Sequence, residues 1–220
     1  MTFLELQTEL QNRLSIATTN TFWTTAMIKS WLNQAYRWTC NYKKWPFTEE
    51  AKKTTTVKDQ YYYDYPVEFK ADSISRLTVI DANGDEKSYK KIRFQDFLNH
   101  KEKYPDSEDK LFSDYRRQYF ISPTPDVTDR EITVWGQIKP DELINDSDIT
   151  LFAEGEEMGE EAIIKRALMI ALQKAKKYSE AAIEREESRL ILEEIFARIQ
   201  EEQVSYRGKD NPLFDIPRFL

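Results

Sequence analysis

The hydrophobic repeat of this chain changes period twice, and that change bounds what it can fold into. Phe3, Leu6, Leu10 and Leu14 recur every three or four residues, which places them on one face of a helix. Thr18 to Thr25 interrupts the pattern, and Thr24 or Thr25 can cap a second helix by accepting an orphan backbone N–H. Met27, Ile28, Trp31, Leu32, Ala35, Tyr36 and Trp38 then form a broad apolar stripe reaching about Tyr42. Pro46, within Trp45-Pro46-Phe47, ends helical geometry.

From Thr48 the period falls toward two. Thr54-Thr55-Thr56-Val57, Tyr61-Tyr62-Tyr63 and Ile74 to Ile80 favour strands, and Asn83-Gly84 predicts a hairpin returning through Tyr89 to Ile92. Phe94 to Leu98 reads as a short helix before a polar loop from Lys101 to Lys110. Gln118 to Ser122, a turn at Pro123-Thr124-Pro125-Asp126 and Ile132 to Trp135 complete the strand region. A polar connection from Pro140 leads to Phe152.

The last third returns to helical spacing, with Ala162, Ile163, Ala167, Ile170, Ala171 and Ala175 on one side and Ile164, Leu168 and Leu172 on another. A helix apolar on two sides is buried on two sides. Ser179 can cap a following helix carrying Leu192, Ile195, Phe196 and Ile199, although one continuous helix fits the same pattern. Gly208 and Pro212 stop helicity, and an extended, aromatic-ended tail follows.

Composition argues against most chemistry. One histidine (His100), one cysteine (Cys40) and five glycines in 220 residues leave few means of building a metal site, a nucleophile or a phosphate cradle. His100, in Asn99-His100-Lys101, reads as a solvated side chain, and Cys40 as a small buried apolar group. Asp141, Glu142, Asp146 and Asp148 form the densest carboxylate group but lack calcium-loop spacing and its glycine. No catalytic, cofactor-binding or metal-binding residue is assigned, and no cofactor is expected.

A formal net charge of −7 disfavours non-specific nucleic-acid binding, which needs clustered cations. Arg116-Arg117 and Lys174, Lys176 and Lys177 are short basic groups read as solvated faces or ion pairs. Trp31 and Trp38 fall on the helical stripe and are expected in the core. For Tyr61, Tyr62 and Tyr63 a protein interface is the stronger expectation than base stacking. No run approaches the ~18 apolar residues of a membrane span, Met1 to Leu6 lacks the pattern of a secretory leader, and a lone cysteine cannot close an internal disulfide. Cytosolic synthesis and use are expected.

Several segments resemble the head-to-tail adaptor, or neck connector, proteins of tailed bacteriophages. They are Ile28 to Arg37 closing on Trp45-Pro46-Phe47; Tyr63-Asp64-Tyr65-Pro66-Val67-Glu68-Phe69; and Ile74 to Gly84. Tyr119 to Asp126, Lys139-Pro140-Asp141-Glu142-Leu143, Asp146-Ser147-Asp148 and the alanine-rich helix from Glu161 continue the match. The resemblance implies a structural virion protein of the neck, assembled in host cytoplasm. It would form a homo-oligomeric, dodecameric ring between portal protein and tail or stopper proteins, with DNA passing through the lumen without specific binding.

With the residue pattern, this predicts an α+β fold: a helical bundle from the N- and C-terminal helices, an inserted antiparallel β region and an extended C-terminal tail. The expected segments are 1–47, 48–150, 151–207 and 208–220. Leu213, Phe214, Ile216, Phe219 and Leu220 are expected to dock the tail on a partner, and Tyr61, Tyr62 and Tyr63 to form an interface in the β region. The competing reading is a cytosolic, non-viral interaction module with a helical core. A nucleic-acid binder ranks third and an enzyme fourth.

Overall fold

A computed structural model describes residues 1–17 and 23–209. Six α-helices and seven strands are present among them: α1 (Phe3–Ala17), α2 (Thr25–Tyr42), β1 (Glu49–Thr55), β2 (Tyr62–Asp64), β3 (Arg76–Ile80) and β4 (Glu86–Lys91) in the first half. α3 (Phe94–Lys103), β5 (Leu111–Tyr115), β6 (Gln118–Ser122), β7 (Glu131–Gln137), α4 (Leu151–Gly155), α5 (Met158–Lys174) and α6 (Tyr178–Lys209) follow. The class is α+β. The chain divides into a helical unit, residues 1–44 and 140–220, and a strand-rich unit, Trp45–Lys139.

In the helical unit the expected stripes are buried. Phe3, Leu6, Leu10 and Leu14 of α1 and Ile28, Trp31, Leu32, Ala35 and Tyr36 of α2 lie in the interior, and the Thr24 hydroxyl caps α2 by accepting the Met27 N–H. α5 is buried on both predicted sides, and it packs against α6, α2, α1 and α4. Trp38 departs from expectation: it is half-buried, its ring covered by the Arg166 guanidinium at 3.9 Å.

The last third is two helices. α5 ends in a Schellman arrangement: Lys177 N–H donates to Leu172 O (2.9 Å), Lys176 N–H to Gln173 O (3.1 Å), and Lys176 takes φ +62°. The chain then restarts at Tyr178. Helix α6 runs through Arg207 and Gly208, beyond the predicted stop.

Residues 140–150, grouped with the strands from sequence, cluster with the helices. Four hydrogen bonds explain this. Phe3 N–H and Leu4 N–H donate to the carbonyls of Asp148 and Asp146, and the Asn33 amide both donates to Leu143 O (2.9 Å) and accepts Leu143 N–H (2.8 Å).

The strand-rich unit holds a seven-stranded sheet in the order β1-β7-β3-β4-β5-β6-β2. The expectation of a purely antiparallel region is corrected. β4 and β5 are parallel, pairing Lys90 with Leu111 and Lys91 with Phe112. Parallel neighbours need a crossover connection, which α3 supplies. Alternation puts Leu77, Val79, Phe112, Tyr119, Ile121, Ile132 and Val134 into one core with Tyr63, Tyr65, Phe69 and Ile74. The Asn83-Gly84 hairpin forms with a longer loop than two residues. Asp81 organises it, its carboxylate accepting the N–H groups of Asn83 and Asp85, and Gly84 alone takes positive φ, at +84°.

Candidate interaction surface

The groups with most chemical potential are committed to structure. His100 is half-buried instead of solvated, with its Nε2 3.0 Å from Asp109 Oδ2, and the Asp109 backbone N–H donates to Ser107 Oγ at 3.1 Å; side-chain hydrogen bonding from Ser107 and then from His100 holds the Asp109 carboxyl below its ordinary range. Cys40 is buried. Asp146 accepts from Lys29 (3.0 Å) and Gln7 (3.3 Å), while the Asp148 carboxylate accepts the N–H groups of Ile144 and Asn145. Carboxylates that close a turn and an ion pair face separate donors. Among the described residues no group of three or more His, Cys, Asp or Glu side chains converges on a cation position.

Arg116 and Arg117 are both exposed, in keeping with the solvated-face reading. They form the two-residue connection between β5 and β6, with φ +49° and +65°, the geometry of a type I′ turn. Arg117 donates to Phe69 O (3.1 Å) and lies over the Tyr65 ring. These contacts offset backbone strain that glycine or asparagine would avoid.

The three tyrosines separate. Strand alternation turns Tyr63 inward, where it stacks on Tyr119 at 5.4 Å and is 6% exposed; it belongs to the core and not to the expected surface set. Tyr62 points the other way from β2, an edge strand, and is exposed. Tyr61 sits beside it at 5.5 Å, with Lys101 Nζ 3.0 Å above its ring; burial lowers the pKa of that ammonium. Phe120, register partner of Tyr62, continues the patch to Phe94 (4.8 Å), which stacks on Tyr115 at 4.4 Å. Phe94, Phe120 and Tyr115 were missed as surface residues because they become neighbours only through strand pairing and the crossover helix. The expected tail contacts, Leu213, Phe214, Ile216, Phe219 and Leu220, lie outside the described residues.

This aromatic surface, on an edge strand and beside no convergent catalytic group among the described residues, suits contact with another macromolecule. Residues 1–212 match the family model described as SU10 adaptor protein. The chain belongs to this phage head-to-tail adaptor family. The match spans both the helical and the strand-rich unit of the adaptor, so neither is an unrelated addition. No curated protein matches the adaptor chain. No helix among the described residues is long and apolar enough to cross a membrane.

Proposed function

We propose that this protein is a structural subunit of the virion neck, joining other copies of itself into a ring between portal and tail or stopper proteins. The observation that carries this reading is the family match over residues 1–212. In the assembled state the end helices act as a bundle that fixes the subunit, and the strand-rich insertion presents Tyr61 and Tyr62 to a neighbour. The surplus of carboxylates, net −7, suits a lumen that passes DNA without retaining it. No covalent chemistry is required, and assembly takes place in host cytoplasm.

The tail is the second contact. Leu213, Phe214, Ile216, Phe219 and Leu220 supply apolar anchors, while Pro212 and Pro217 favour an extended groove or edge binder over a helix. The test is sedimentation and electron microscopy of the purified chain with purified portal protein. Rings of the adaptor on portal are the expected result. Deleting residues 211–220 should leave the melting temperature of the free chain unchanged and abolish the joint complex. A wild-type chain that never associates with portal overturns the proposal, as does full assembly of infectious particles from which this chain is absent.

A further inference from the structure

Strand β1 is a long bare edge of the sheet. Its seven residues pair with β7 on one side and with no strand on the other, whereas the opposite edge, β2, is three residues long. The two ends of the β1–β7 pairing fix which backbone groups are free. Thr48 O accepts Ile138 N–H at 2.9 Å and Thr56 N–H donates to Arg130 O at 2.8 Å, so the even-numbered residues between them face β7. Glu49, Ala51, Lys53 and Thr55 therefore turn their N–H and C=O groups outward. Six of the seven side chains are exposed, and Lys52 is half-covered.

A bare edge is a template for further strand pairing, and charged side chains ordinarily guard against it. Here the charges have an order. Glu49-Glu50-Ala51-Lys52-Lys53 becomes its own opposite in charge when the strand is reversed. An antiparallel second copy centred on Ala51 sets each Glu49 against a Lys53 and each Glu50 against a Lys52. The same register joins Glu49 to Lys53 and Ala51 to Ala51 through their outward backbone groups, so hydrogen bonding and charge agree. A shift of one residue matches outward groups with inward ones, and a shift of two sets Glu50 on Glu50 or Lys52 on Lys52. A parallel copy in register meets like charge throughout. The present partners of these side chains are surface contacts: Lys52 with Glu50 at 3.1 Å, Lys53 with Glu131 at 2.9 Å, and Glu49 accepting from the Ser75 hydroxyl. Exposed pairs of this kind contribute little and exchange readily.

We propose that β1 is a twofold self-association surface, on which a second copy of this chain adds its own β1 antiparallel and centred on Ala51. A cyclic ring repeats one heterologous contact, whereas this contact is isologous, so it belongs to the free chain and goes beyond the neck reading. Two copies cover each other's edge and block open-ended strand addition.

The test uses the full-length chain. Sedimentation equilibrium over a concentration series should resolve the single chain and a species of twice its mass. K52E/K53E makes every charged cross-strand pair alike and should weaken the dimer at least about tenfold. E49K/E50K/K52E/K53E reverses all four charges, is again its own complement, and should restore most of the association. Ala51→Pro removes an outward N–H without touching the ladder to β7, and should abolish the dimer at an almost unchanged melting temperature. The wild-type chain gives the register directly. With equal parts of light and nitrogen-15-labelled chain, a zero-length carbodiimide should yield mixed-isotope cross-links joining Lys52 to Glu50 and Lys53 to Glu49. The melting temperature of each variant establishes that it is folded. A wild-type chain that stays monomeric throughout overturns the proposal. So does a dimer that survives Ala51→Pro, a folded charge-reversed chain that stays as weak as K52E/K53E, or cross-links at these positions confined to one copy.

Discussion

The Tyr65 hydroxyl accepts the backbone N–H of Ser73 at 2.6 Å and that of Ile74 at 3.0 Å, so one phenol closes the loop that enters β3. Tyr65 is buried, and no water-exposed route remains for those two donors if the oxygen is removed. Tyr65→Phe should therefore cost about 2 to 4 kcal/mol, since a buried donor left without its acceptor carries roughly 1 to 3 kcal/mol of desolvation. Chemical denaturation checks this. A loss under half a kcal/mol would mean that the loop re-pairs without the hydroxyl.

Tyr119 gives the opposite expectation from the same substitution. It stacks on Tyr63 in the same core, yet its hydroxyl is buried without a hydrogen-bond partner, and burial pushes its pKa up. Removing an unsatisfied polar atom leaves the ring contacts in place and ends a desolvation penalty. Tyr119→Phe should be neutral or stabilising by up to about 1 kcal/mol. Clear destabilisation in the same denaturation assay would show that the hydroxyl has a partner in solution.

These two tyrosines also mark what the sequence can and cannot disclose. The apolar stripes of α1, α2 and α5 are visible because helical spacing repeats, and β3, β6 and β7 because their residues are β-branched or aromatic. β5 was invisible for a local reason: its hairpin turns on Arg116-Arg117, where positive φ sits on residues that carry no turn signature. Lys176 hides the α5 stop in the same way, having no glycine at the left-handed position. Trp38 followed the helical stripe in sequence, but its place at the margin of that stripe leaves it half-covered by Arg166. The parallel β4–β5 pairing and the Tyr62–Phe120–Phe94 surface depend on long-range register, which no local pattern encodes.

Gly159 tests how tightly α4 is seated on α5. A Cβ at this position would lie 2.0 Å from Phe152 Cδ1 and 2.5 Å from its Cγ, far inside van der Waals contact with a fully buried ring. Replacing glycine by alanine in a helix ordinarily gains up to about 1 kcal/mol, whereas overpacking costs roughly 1 to 3 kcal/mol. Overpacking should win. Gly159→Ala is expected to lower the melting temperature, and adding Phe152→Leu should return part of the loss. A rise in melting temperature for the single variant would mean that α4 moves aside freely.

Acid should loosen the helical unit through carboxylates held in their charged form. Hydrogen bonds from Ile144 N–H and Asn145 N–H lower the Asp148 carboxyl below 3.8, and Lys29 with Gln7 does the same for Asp146. For Glu161 burial acts upward, but Arg13, bidentate at 2.7 and 2.8 Å, more than offsets it and sets the value below 4.5. A carboxyl depressed in the folded state contributes stability above its unfolded pKa, and that contribution disappears as pH falls through the folded value. Stability should therefore be level from pH 7 to about 5 and decline below about 4.5. The Asp148 contribution is separable. Asp148→Asn removes its titration, so the variant should be less stable than wild type at pH 7 and the gap should narrow by pH 3. Urea midpoints at each pH measure this. A gap of constant size would show that Asp148 acts by shape alone and that its charge contributes nothing to the turn joining residues 144–148 to α1.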